Sequence, residues 1–128
     1  PQVITSCLRG QAFKTSEGKQ IRDFCYVEDA VEALEKAVLA PSAMGQIINV
    51  GSGIPLTVRE VVERVVTLVG RGVPLWGAHP YRRCENMELY PDTGLAREIL
   101  GWTPRTDIET GLKTTIKYYK DTIDARQI

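Results

Sequence analysis

The sequence predicts a mixed α/β fold: a small, helix-rich single domain over residues 1–128 with two or three short strands. Three observations lead there. Apolar residues recur at three- and four-residue steps in four or five segments that open on capping residues or close on glycine or proline. Two short runs, 21–27 and 46–50, carry β-branched, aromatic or contiguous apolar residues instead. With 128 residues, 43% of them hydrophobic and 25% charged, the chain can bury one core.

The elements follow in order. Val3, Ile4, Cys7 and Leu8 share a helical face, and Gly10 can end that turn. Ile21 to Val27 is expected to be extended. Asp29 with Glu32 forms an acidic capping box for a helix whose stripe is Ala30, Val31, Ala33, Leu34, Ala37 and Val38, stopped by Pro41. Gln46 to Val50 is an apolar strand closed by Gly51-Ser52-Gly53. Thr57 and Glu60 make a regular capping box ahead of Val58, Val61, Val62, Val65, Val66 and Val69, and Gly70 closes that helix. So many valines are poor helix formers, so packing must hold it. Residues 71–85 read as a loop rich in Gly, Pro and Arg. Asp92 is expected to cap a short helix through Leu95, Ala96, Ile99 and Leu100, and Thr106 with Glu109 a last helix bearing Ile108, Leu112, Ile116 and Tyr119. Two strands alone cannot make a stable sheet, which leaves this inventory incomplete.

Composition excludes several classes of function. The 16 Lys+Arg balance 16 Asp+Glu, which speaks against coating a phosphate backbone or an anionic membrane. No stretch of about 18 apolar residues could span a bilayer. Cys7, Cys25 and Cys84 are far apart, and with one histidine, His79, they offer no paired ligand spacing for a metal and no disulfide framework. Reduced thiols in a cytoplasmic protein are the expectation. The chain opens on Pro1 and runs straight into Val3 and Ile4, which reads as a cut edge rather than a loose terminus.

Catalytic machinery is not visible by spacing. His79 has no nucleophile motif around it, and Glu60/Glu63 and Glu85/Glu88 fall on solvated faces or loops. Gly51-Ser52-Gly53 sits between a strand and a capped helix, the context of a phosphate cradle, but lacks the flanking glycines or a Gly-Lys-Ser/Thr ending. A plain turn accounts for it. What remains is Arg22 inside an apolar run and Arg82-Arg83 after Pro80-Tyr81. A planar guanidinium suits a diphosphate held bidentately, or equally a structural pairing with Asp23 and Glu85.

Gly18-Lys19-Gln20-Ile21-Arg22-Asp23-Phe24-Cys25-Tyr26-Val27-Glu28-Asp29 resembles the G-x-Q-x-R-D-F-x-Y-V-x-D segment of the NAD-dependent nucleotide-sugar epimerases and dehydratases, the extended short-chain dehydrogenase/reductase family. Asn49 to Gly53 is similar to that family's N-x-G-S-G turn, and Arg82-Arg83-Cys84-Glu85 to its R-P-G-E/D loop. Asp92, then Leu100-Gly101-Trp102-Thr103-Pro104, Gly111-Leu112 and Thr115-Ile116 match its closing pattern. The motifs run in order along nearly the whole chain.

The resemblance is to the C-terminal portion of a Rossmann-type enzyme. The N-terminal NAD-binding half is expected to be absent: no G-x-x-G-x-x-G follows a strand, and four residues beyond the tyrosines stand Ala30, Glu85, Gly94, Thr122 and Ile123, so there is no Tyr-x-x-x-Lys. The chain alone is therefore expected to hold no cofactor, no metal and no catalytic residue. It implies substrate binding instead: Arg22 and Arg82 on the diphosphate of a nucleotide sugar, Glu85 on the ribose hydroxyls, and Phe13 to Thr15 near the base. Arg83-Cys84 departs from the usual Pro-Gly. In such enzymes the helix at 29–39 and the strand at 46–50 pack on the NAD-binding sheet, so the chain by itself is expected to self-associate or swap segments. The alternative is a stand-alone, non-catalytic nucleotide-sugar-binding or interaction module, with neither nucleic acid nor membrane as partner.

Overall fold

The computed structural model describes residues 1–125, in which five helices and five strands of two or three residues form two compact units. The first comprises residues 1–20, 57–87 and 109 onward; the second comprises 21–56 and 88–108. The mixed, helix-rich α/β class is the observed one.

In the first unit α1 (Gln2–Leu8) packs against α3 (Val58–Val69), burying Ile4 and Cys7 with Phe13, Val62 and Val65. Leu112, Ile116 and Tyr119 of α5 (Ile108–Ala125) and Trp76 close over this core. Beside it, β1 (Ala12–Lys14) and β4 (Val73–Leu75) pair in parallel, Ala12 opposite Val73 and Lys14 opposite Leu75. Helix α3 forms as its sequence dictates. Thr57 Oγ1 accepts the Glu60 N–H at 3.1 Å, Glu60 Oε2 accepts the Thr57 N–H at 2.7 Å, and Gly70 closes the helix in the left-handed conformation. Its inward valines supply the packing that their low helix propensity requires.

The second unit carries a three-stranded sheet in the order β3 (Pro55–Thr57), β2 (Ile21–Asp23), β5 (Glu88–Leu89), with β2 and β5 parallel. Helices α2 (Val27–Leu39) and α4 (Gly94–Leu100) and a 3₁₀ turn at Pro41–Ala43 gather round Ala33, Ala96, Leu100 and Trp102. β4 and β5 both lie outside the runs that the sequence marks as strands, and each acquires its character only from a parallel partner.

Several local expectations are corrected. The extended run from 21 pairs only as far as Asp23, and Val27 is already helical. Asp29 does not cap α2; it stands in the first turn, buried, and accepts the Thr106 N–H at 2.9 Å. Thr93, not Asp92, precedes α4, while the Asp92 carboxylate takes the Gly94 N–H at 2.8 Å. Residues 46–50 form no strand, because a ladder needs a partner and none of the described residues supplies one. Of the apolar stripe on α2 only Ala33 is fully covered: Val31, Leu34 and Val38 are 46%, 64% and 86% exposed.

The cap of α3 provides a test. Thr57→Ala removes the hydroxyl that holds the Glu60 N–H and is expected to cost about 1 kcal/mol in urea unfolding. The hydrogen bonds from Thr57 lower the Glu60 carboxyl below its ordinary value. A lowered folded-state value means stability that is fully present above the ordinary carboxylate value and is lost as pH falls from there through the lowered one. Acid titration of α3 helicity is thus expected to begin at higher pH in Thr57→Ala than in the parent chain.

Candidate functional site

Four of the five residues singled out for substrate binding belong to the first unit. Phe13 is 5% exposed, its ring packed among Ile4, Cys7, Val62 and Val65, so it serves the core. Thr15 continues β1: its N–H donates to the Leu75 carbonyl at 3.2 Å and its carbonyl accepts the His79 N–H at 3.1 Å. These two bonds launch the loop that carries Arg82 and Glu85. His79 itself is exposed, as a surface histidine should be.

Arg82 and Glu85 are brought together by a tight turn, in which the Glu85 N–H donates to the Arg82 carbonyl at 3.0 Å. Cys84, the third residue of that turn, has φ +64°, the one positive value among the described non-glycine residues. A Pro-Gly pair at 83–84 would favour this conformation, since proline fixes the second position and glycine tolerates the third. The turn is therefore kept although Arg83-Cys84 replaces the pair. Arg82 is exposed and Glu85 half-buried.

The ground beneath this loop is stiff. Gly18 has φ +73°, and a Cβ added there would lie 2.9 Å from the Arg59 Cβ and 3.0 Å from the Trp76 ring. The Arg59 N–H donates to the Gly18 carbonyl at 2.9 Å, while its guanidinium donates to the Glu17 carbonyl and stacks 3.9 Å over Trp76. Lys19, next in the chain, gives its N–H to the Tyr81 hydroxyl at 3.0 Å. No spacing in the sequence foretells this bond between residues 62 positions apart.

Arg22 belongs to the second unit, half-buried on β2 opposite Leu89, with Nη1 donating to the Ile21 carbonyl at 2.8 Å. It lines a concavity of about 530 Å³ with Cys25, Asn49, Tyr90 and Asp92. Beside it Asp23 accepts the Ser52 and Gly53 N–H groups at 2.6 and 2.8 Å. The glycine-rich turn that superficially suits a phosphate thus has two of its amides occupied by a carboxylate. Gly51 is required there, because a Cβ would collide with Pro91. Burial first, and then the negative charge of Asp29 and Asp23, raises the Cys25 thiol above its ordinary value; burial alone raises Cys7.

A family model described as GDP-mannose 4,6 dehydratase matches residues 1–115. The chain belongs to this family. Within it the chain corresponds to the C-terminal portion of the nucleotide-sugar epimerases and dehydratases, as its motifs imply. It is 32% identical over 127 residues to a UDP-N-acetyl-alpha-D-glucosaminuronate decarboxylase of Bacillus cytotoxicus, covering 94% of this chain and 39% of that protein. The crystal structure of the UDP-glucose 4-epimerase of Thermotoga maritima with UDP-glucose superposes with a TM-score of 0.87 at 28% identity, over 95% of this chain and 39% of the other. A second solved structure, MoeE5 in complex with UDP-glucose and NAD, gives a TM-score of 0.81 at 30% identity over 95% of this chain and 41% of the other. The chain spans little more than a third of the curated relatives that it matches. No helix among the described residues is long and apolar enough to cross a membrane.

Two outcomes follow from the geometry. Cys84→Gly relieves the left-handed strain and is expected to raise unfolding stability by up to about 1 kcal/mol, read from a denaturant midpoint. With iodoacetamide at neutral pH, exposed Cys84 should alkylate first, half-buried Cys25 more slowly and buried Cys7 last, as followed by peptide mass.

Proposed function

We propose that this chain is the substrate-holding portion of an NAD-dependent nucleotide-sugar epimerase or dehydratase and that it binds a nucleotide-diphosphate sugar. The observation that carries this is the family match through residue 115, together with the likeness to a Thermotoga maritima epimerase crystallised with UDP-glucose. Arg22 and Arg82 are the proposed cations for the diphosphate, each offering a planar fork of N–H donors to phosphate oxygens. Glu85 is the proposed acceptor for ribose hydroxyls, and Thr15 is proposed to lie toward the base, while the Phe13 ring is held in the core. The two arginines belong to different units, and each is proposed on its own surroundings.

Hydride chemistry at a sugar carbon needs a nicotinamide and a paired acid–base group, which NAD and a Tyr-x-x-x-Lys motif supply in the resembled enzymes. The residues of this chain do not fit that cofactor. Its Gly51-Ser52-Gly53 turn gives the Ser52 and Gly53 amides to Asp23, and its sequence holds neither the glycine fingerprint nor the tyrosine–lysine pair. The cofactor and the catalytic residues are accordingly proposed to come from outside these 128 residues. The exposed apolar residues of α2 and the unpaired segment 46–50 support a covering partner, either further enzyme or a second copy.

Calorimetric titration with UDP-glucose, and with UDP alone, tests the function. Binding should saturate at one site, and Arg22→Ala and Arg82→Ala should each weaken it at least about tenfold, the worth of a charge-assisted hydrogen bond. Affinity unchanged in both variants, or no binding by the parent chain, would overturn it in favour of a purely structural role.

A further inference from the structure

We propose that Tyr81 is a positioning residue, whose hydroxyl fixes the Arg82–Glu85 turn in the orientation that grips the nucleotide diphosphate; this rests on the function proposed above. Tyr81 is half-buried and immediately precedes the turn. Its hydroxyl accepts the Lys19 N–H at 3.0 Å, among described residues a side-chain tie from this loop to a distant segment.

The donor is a fixed point. On one side of Lys19 the Gly18 carbonyl is held by the Arg59 N–H at 2.9 Å, and on the other the Gln20 carbonyl is held by the Val58 N–H at 2.9 Å. Both donors belong to the first turn of α3, where N–H groups have no partner within the helix. The space around Gly18 is filled by Arg59 and Trp76, so the segment cannot shift without disturbing their stack. Lys19 therefore presents its N–H in one place, and the tyrosine ring is a short rigid arm from that place to the backbone of Arg82.

The arm acts on a turn that is closed by a short-range main-chain bond. Ahead of it the His79 N–H donates to the Thr15 carbonyl at 3.1 Å, and within it the Glu85 N–H donates to the Arg82 carbonyl at 3.0 Å. Cys84 at φ +64° occupies a conformation that an L-residue leaves readily, so the local sequence does not lock the turn. An exposed hydrogen bond of this kind shifts a local equilibrium by about threefold to tenfold. Tyr81 does not need to touch the ligand to act in this way; it raises the fraction of chains whose turn is ready to bind.

The full chain with Tyr81→Phe tests this, because the substitution keeps the ring and removes only the acceptor oxygen. Trypsin cuts after Arg82 and Arg83 when the turn opens, and its rate at those bonds measures opening directly. Cutting in Tyr81→Phe should be about threefold to tenfold faster, and UDP affinity weaker by a similar factor, with the urea midpoint of the whole chain unchanged. Lys19→Ala leaves the donating N–H in place and should match the parent in both assays. Equal cutting in Tyr81→Phe and parent overturns the tether whatever UDP does. Faster cutting with unchanged UDP affinity overturns the positioning role. Absence of UDP binding in the parent chain overturns the function on which the proposal rests, while the cutting rates still decide the tether.

Discussion

The first turn of α3 is a knot through which much of the first unit is held. A helix start exposes N–H groups that no carbonyl of the same helix can satisfy. Here the Thr57–Glu60 box answers one, and the Val58 and Arg59 N–H groups take the carbonyls of Gln20 and Gly18. The Arg59 side chain then folds back over Trp76 and onto the Glu17 carbonyl. The segment ahead of β2 and the strand-to-loop junction after β4 are thereby fastened to one helix end. The loop bearing Arg82 and Glu85 leaves from that junction.

In the second unit a carboxylate plays the corresponding part. Asp23 ends β2 and collects the amides of Ser52 and Gly53, joining the strand to the turn that follows residues 46–50. Asp29 is buried and takes the Thr106 N–H, tying the start of α2 to the segment before α5. Both acids fall in the R-D-F-x-Y-V-x-D motif, and both are spent on main-chain amides rather than on chemistry. A motif that is diagnostic of an enzyme family is in this chain mostly a means of holding backbone. Arg22 of the same motif lines a concavity of the second unit, and its Nη1 donates to the Ile21 carbonyl at 2.8 Å.

The candidate residues signal in the sequence only through motifs: Arg22, Arg82 and Glu85 are singled out by resemblance, and their contacts with substrate are proposed. Phe13 was less legible, because an aromatic residue one position from a strand end reads alike whether its ring meets a ligand or a core, and here it meets the core. Tyr81 and Arg59 gave no signal at all. Their partners, Lys19 and the Gly18–Trp76 pair, are many residues away, and nothing in local spacing distinguishes a tyrosine with such a partner from one in solvent.

By itself the sequence determined the helix-rich mixed class, the family and the ends of α3, whose Thr57–Glu60 and Val66–Gly70 bonds close within four residues. Tertiary structure alone decided β4 and β5, which are strands only because β1 and β2 lie beside them in parallel. It also decided that, among the described residues, 46–50 joins no strand and that Val31, Leu34 and Val38 of α2 are exposed while Ala33 is buried. The division has one physical cause. A cap or a glycine stop is satisfied by neighbours in sequence, whereas a strand or a buried face exists only when a distant surface arrives to pair with it.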